Sequence, residues 1–207
     1  NRMIALGWTS DAKKAPEHVT AYPYGSVDLL CTSPSHAGSA RERLCLQTMC
    51  FDAGMSMLPI APSHVVSRQE AVAIMQQIDL MAGLRTVQNT GQLTLSVDLP
   101  PRRQDAKQGG RSWLIARQAE LGKSRQHAQL LRNIAEHIAL PASDPRIKNS
   151  TVQCDILVSR LDTAKVKDKI AQYLSSLADH ADMTLLITGL WPPFSFVDQQ
   201  LREENAR

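Results

Sequence analysis

The chain has 207 residues, 43% hydrophobic and 21% charged, the balance of an ordinary globular protein. No apolar run is long enough to span a bilayer, and no basic-then-apolar leader opens the sequence, so a cytoplasmic protein without a membrane partner is expected. The net charge of +3 is unevenly placed: residues 102–132 carry 8 basic and 2 acidic side chains, a net +6, against −1 for residues 1–101 and −2 for residues 133–207.

Residues 3–8 read as a short strand. Residues 11–16 are polar and turn-like, and Tyr22-Pro23-Tyr24-Gly25 is a turn signal. Residues 27–32 read as a second strand. The loop 33–39 ends in Ser39, placed to cap a helix over 40–53 that Gly54 closes. Residues 55–60 form a short apolar stretch broken by Pro59. Ser67 with Glu70 three positions on is a capping box, a specific helix start. That helix is expected to continue to about residue 83, with Ile74, Ile78 and Met81 on one face.

Residues 92–99 alternate, Leu93, Leu95, Val97 and Leu99 against Gln92, Thr94, Ser96 and Asp98. That is a strand with one buried and one wet face, ended by Pro100-Pro101. Residues 102–110 form a polar loop. Residues 112–138 are a long helical pattern in which Trp113, Arg117, Leu121, Ser124, Ala128, Leu131, Ala135 and Ile138 recur every three or four positions. Only the back half of this stripe is apolar throughout, and Gly122 marks a point where the helix is expected to kink. At 1.5 Å per residue the pattern spans roughly 40 Å. That exceeds a sheet-covering helix, so part of it is expected to project with its arginines.

Residues 141–150 read as a loop. Residues 151–160 form a strand with Val152, Cys154, Ile156 and Val158 on one face. Asp162 is placed to cap a helix aligning Val166, Ile170, Tyr173, Leu174, Leu177 and Ala181. Residues 183–188 are the last strand. A further strand is expected from residues 147–150 or from the N-terminal half.

The expected fold class is therefore α+β, with two domains. Residues 1–90 form an N-terminal α+β domain. Residues 91–197 form a modified ferredoxin-like sheet with helices packed on one face, and residues 198–207 a charged C-terminal tail.

The last strand runs into Gly189-Leu190-Trp191-Pro192-Pro193-Phe194-Ser195-Phe196. The two prolines fix φ and lack donors, so ladder pairing stops there. Three aromatic rings within six positions, in a chain only 4% aromatic, make a stiff corner. It either folds onto its own core or serves as a knob for another protein.

This corner resembles the C-terminal signature of the gas vesicle GvpF/GvpL family, usually Gly-Pro-Trp-Pro-Pro-Tyr-Ser-Phe. Here Leu190 stands for the first Pro and Phe194 for Tyr. Leu58-Pro59-Ile60 followed by Ser67 to Glu70 is similar to the family's Leu-Pro strand and its Ser-x-x-Glu helix start. Many relatives continue that strand with Arg-Phe-Gly, where this chain has Ala61-Pro62-Ser63. Gly110-Arg111-Ser112-Trp113-Leu114 resembles the family's Gly-x-x-Tyr-Leu helix start, and Ile156 to Arg160 its Leu-Val-Pro-Arg strand. The matches keep their order from about residue 40 to residue 197. The resemblance implies two α+β domains, the second a modified ferredoxin-like fold.

No catalytic constellation is visible: no phosphate loop, no His-Glu-x-x-His, no Gly-x-Ser-x-Gly. Cys31, Cys45, Cys50 and Cys154 lack short metal or redox spacings and read as buried thiols, with a Cys31/His36/Cys45/Cys50 metal site as the alternative. The six histidines are scattered, and His180 suits a helix C-terminus. Asp155 and Asp162 read as a solvated rim. The expectation is a non-enzyme with no catalytic residue, cofactor or metal.

Two classes of function remain. The resemblance implies a gas vesicle accessory protein, an assembly factor associated with gas vesicles. It would act by protein–protein interaction with the small hydrophobic shell protein and with other accessory proteins. Arg111, Arg117, Lys123 and Arg125 are the candidates for steering by charge, and Trp191 and Phe194 for apolar contact. Met49, Met55, Met57, Met75 and Met81 are either an adaptable patch or core filling. The alternative is a nucleic-acid-binding ferredoxin-like module using residues 102–132. The strands lack paired stacking aromatics and an RNP-like motif, so no specific nucleic acid is expected.

Overall fold

The computed structural model describes residues 3–76, 79–99, 110–148, 150–177 and 184–197. They fall into two compact units, Asn1–Gln92 with Leu190–Arg207, and Leu93–Gly189.

The first unit holds an antiparallel sheet of β1 (Ile4–Thr9), β2 (Thr20–Tyr24), β3 (Val27–Thr32) and β4 (Met57–Pro59), in the order β2-β3-β1-β4. The apolar runs at residues 4–8 and 27–32 become the two central strands. Tyr22-Pro23-Tyr24 belongs to β2 and not to a turn. Pro23 sits on an edge strand, where a missing donor is tolerated, and the chain reverses at Gly25-Ser26, since Tyr24 pairs with Val27. Pro59 occupies the opposite edge in the same way.

β1 contains a bulge: its register steps from Ala5↔Cys31 to Gly7↔Leu30. The extra residue puts Ala5 and Trp8 on one face and Ile4 and Leu6 on the other. Gly7 is required there. Its φ is 154°, and a Cβ would collide with the Leu58 carbonyl oxygen of β4.

Both faces of this sheet are covered. Ile4, Leu6, Leu30 and Met57 pack with Leu46 and Cys50 of α1 (Ala40–Asp52). Ala5, Trp8, Leu29 and Leu58 pack with Ala71 of α2 (Arg68–Met75) and with Leu80 and Leu84 of α3 (Leu80–Thr86). The capping box at Ser67/Glu70 starts α2 as the sequence predicts, and the cap expected at Ser39 is a second capping box, closed by Glu42. The helix expected to reach residue 83 is instead two helices. Asp79 starts the second by accepting from the Ala82 N–H at 2.9 Å. Ile78 lies outside the described residues. Two polar side chains of α1 are buried and donate to backbone carbonyls. Arg43 donates to the carbonyls of Pro62 and Ala37 at 2.8 and 2.7 Å. Gln47 donates to those of Leu6 and Ile60 at 2.7 and 2.6 Å. Gln47 thereby ties α1 to the bulged strand, and Arg43 ties it to the loops before α1 and after β4.

The second unit follows the order β5 (Thr90–Asp98), α4 (Gly110–Ile138), β6 (Arg146–Lys148), β7 (Thr151–Ser159), α5 (Thr163–Ser175), β8 (Leu185–Trp191), with the first residues of β5 and the last of β8 counted in the first unit. Its sheet order, β6-β7-β5-β8, is the ferredoxin-like arrangement of a β-α-β-β-α-β chain. α4 and α5 touch β7 and each other, so they share one face. The further strand expected near residue 147 is β6, antiparallel to β7.

Three expectations change in this unit. The polar side of β5 is not wet: Gln92 and Ser96 are buried, and Thr94 donates to Asp155 Oδ1 at 2.6 Å. Asp155 is no solvated rim. It is fully buried on β7 and ion-paired with Arg146 of β6. Its backbone N–H donates to Ser143 Oγ at 3.0 Å. The three polar groups bind β5, β6 and β7 together from inside. Asp162 stands at the start of α5 but makes no side-chain cap bond; Ser159 instead accepts from the Leu161 N–H in the 3₁₀ turn before it. Residues 102–109, His180, Ala181, Met183 and the tail 198–207 lie outside the described residues.

Cys31, Cys50 and Cys154 are buried, and burial pushes their thiols up to about 11. Cys45 differs from the expected buried thiol: it points outward from α1 and is exposed.

Asp155→Ala should lower the unfolding free energy measured in urea by roughly 1.5–3 kcal/mol, because it removes the buried charged acceptor of Thr94 and of the half-exposed Arg146. A loss under about 1 kcal/mol, the range of a surface pair, would contradict this arrangement. A thiol reagent at pH 8 should label Cys45 alone in the native protein and all four cysteines after denaturation. Equal labelling of Cys31, Cys50 or Cys154 in the native protein would show that the cores are open.

Candidate protein-docking surface

α4 has 29 residues and runs unbroken through Gly122. Its back half is core: Leu130, Leu131, Ile134, Ala135 and Ile138 are buried. Its front half is not. Trp113, Leu114 and Ile115 are 60%, 60% and 61% exposed and Leu121 is 44% exposed, although all four are large and apolar. The same turns carry the basic residues. Arg111, Lys123 and Arg125 are exposed and make no ion pair among the described residues. Arg117 is half-buried and paired within the helix to Glu120 at 3.0 Å. Leu114, Arg117 and Leu121 are three and four positions apart, so they lie on one face. The projecting half is therefore an apolar strip with a cation inside it and cations beside it, and such patches mark interaction sites.

The sequence names the cations of this surface and expects part of the helix to project, but it does not single out Trp113 and Leu121 of the mixed front stripe as contact residues. Trp113-Leu114-Ile115 held the missing signal. Three consecutive residues of a helix point in directions about 100° apart, so they cannot all enter one core.

The aromatic corner divides. Pro192, Pro193, Phe196 and Val197 are buried, and Val197 joins the cluster around Trp8 and Leu29. The Ser195 N–H donates to Gln92 Oε1 at 3.0 Å. A Cβ on Gly91 would lie 2.7 Å from Phe51 Cζ and 2.5 Å from Leu190 Cγ, so this glycine makes room for the chain to pack down. Phe194 is half-buried, and only Trp191, 38% exposed, offers substantial ring surface. Residues from Leu190 onward thus group with the first unit, whereas the sequence places residues 91–197 in one domain. The buried contact of Val197 is the physical reason. The cationic helix and the corner belong to different units.

Elsewhere the described residues offer little chemistry. No group of three or more His, Cys, Asp or Glu side chains among them is placed to hold a metal, so the Cys31/His36/Cys45/Cys50 site does not form. No helix among them is long and apolar enough to cross a membrane. Met55 and Met57 fill the core, Met75 and Met81 pack against it, and Met49 is exposed. A groove of about 760 Å³ lies beside the start of α2, lined by Met3, Tyr24, Arg68 and Glu70 among others. Arg68 lies 3.8 Å above the Tyr22 ring centroid and donates to the Tyr24 hydroxyl at 3.0 Å. This contact clamps α2 to the edge strand β2.

No family model matches the chain, and no curated protein matches it in sequence. Solved structures do match. The gas vesicle protein GvpF from Anabaena sp. PCC7120 aligns with a TM-score of 0.66 at 12% identity, over 95% of each chain. GvpF from Microcystis aeruginosa aligns with a TM-score of 0.63 at 12% identity, over 95% of this chain and 98% of that one. The likeness spans both units, and this chain has a GvpF-like α+β fold.

Proposed function

We propose that the protein is a gas vesicle accessory protein that assists assembly or nucleation of the vesicle shell, working in the cytoplasm and at the vesicle. The fold likeness to two gas vesicle proteins over almost the whole chain supports the setting. The projecting half of α4 carries the docking reading, since it leaves four large apolar side chains exposed beside Arg111, Lys123 and Arg125, which make no ion pair among the described residues. A shell subunit of apolar surface is prone to aggregate before it is built in, and an escort protects it by covering that surface. The apolar strip supplies contact area, and Arg111, Lys123 and Arg125 supply long-range attraction. Arg117 is already paired with Glu120, so it fixes orientation more than it steers. Trp191 is a second contact point, with Phe194 behind it.

The test is co-expression with the shell protein and the sister accessory proteins, followed by pull-down. Recovery of at least one of them is expected. The triple variant Arg111→Glu, Lys123→Glu, Arg125→Glu should weaken capture about tenfold or more at low salt, and less at high salt. Failure to recover any gas vesicle protein would overturn the functional reading. Unchanged capture by the triple variant at low salt would remove these three residues from it.

A further inference from the structure

We infer that the element received by the front half of α4 is an amphipathic helix with acidic flanks, an inference that rests on the docking reading of α4. Leu114, Leu121, Ala128 and Ala135 are each seven residues apart, and so are Arg117, Ser124, Leu131 and Ile138. The two rows interleave at three and four, which is the seam of a helix–helix packing. Over the last two heptads the protein covers this seam itself: Leu131, Ala135 and Ile138 are buried. β7 lies against these turns, and α5 packs along their flank, with Tyr173 stacked on His137 at 4.3 Å between ring centroids. Over the first two heptads the same seam continues with Leu114 and Leu121 in water. The stripe thus runs on past the sheet that covers it, and its three-and-four spacing is the one into which the ridges of another helix pack.

Charge decides which helix. The turns from Gly110 to Arg132 carry five basic residues and one acidic. Arg111, Lys123 and Arg125 flank the strip with no ion pair among the described residues. A second copy would set these cations against their own kind. An anionic bilayer would attract them, but the Arg117–Glu120 pair and Ser124 stand in line with the leucines, and an acyl layer would have to take in that pair. A helix with Glu or Asp beside its apolar strip answers the flanking cations Arg111, Lys123 and Arg125.

The test titrates the full chain with a designed peptide of about four heptads, with Leu at the seam and Glu at the flanking positions. A matched peptide carries Lys at those positions. Calorimetry should give micromolar binding of the acidic peptide, about tenfold or more tighter than the Lys peptide. Leu114→Glu with Leu121→Glu should lower that affinity about tenfold or more, and the milder Leu114→Ala with Leu121→Ala should lower it less. Both pairs alter exposed side chains, and circular dichroism checks that the fold is kept. Equal binding of the two peptides overturns the inference, as does unchanged affinity in the Glu pair. It is also overturned if phosphatidylserine-containing vesicles bind and the acidic peptide does not, or if sedimentation shows a dimer that the Glu pair dissolves. If a gas vesicle protein is captured through this strip while the acidic peptide fails, the helix inference falls and the docking reading stands. If the peptide binds and no gas vesicle protein is captured, the reverse holds.

Discussion

A length mismatch governs the second unit. β5 and β7 have nine residues each, which gives strands of roughly 30 Å. α4 has 29 residues and is about 43 Å long. A helix cannot be covered by a sheet shorter than itself, so more than two of its turns stand clear. Those turns are not built as a solvated helix end. They carry Trp113, Leu114, Ile115 and Leu121, each worth roughly 1.5–3 kcal/mol when fully covered. Left in water, they hold association free energy in reserve, which is the property an escort of apolar subunits requires.

The remaining architecture makes such a helix tolerable. In the first unit the sheet is covered on both faces, and its bulge, its Gly7 contact and the Arg43 and Gln47 bonds to backbone leave little freedom of register. In the second, Asp155, Arg146 and Thr94 tie three strands together beneath the helix layer. Asp155 is the buried member of the pair, and a shifted register would take its carboxylate away from Thr94 and Arg146, which favours one arrangement of the three strands. The back half of α4 is anchored by five buried side chains, so the front half is presented at a defined angle.

Much of the fold was legible in the sequence, for local reasons. The strand at residues 27–32, the cap at Ser39, the capping box at Ser67, and the ferredoxin-like succession after residue 91 all rest on short-range chemistry. What was not legible depends on distant partners. Alternation in β5 reported two unlike faces, yet it carried no information that the polar one would be covered. Asp155 looked like a rim residue because its partner Arg146 lies on another strand. Arg43 and Gln47 give α1 a polar stripe, so its buried face could not be read from hydrophobicity alone. At the candidate site, the charge clustering exposed the cations. The apolar half stayed hidden because a stripe of Trp113 and Leu121 looks the same whether its cover is the protein's own sheet or another molecule.

Hydrogen–deuterium exchange along α4 in the isolated protein tests the half-covered helix most directly. Amides of residues 127–138 should exchange about a hundredfold or more slowly than those of residues 113–124, since only the first set is shielded by packed side chains. Uniform slow exchange over the whole helix would mean that its front half already has a cover, and the free docking strip would not exist.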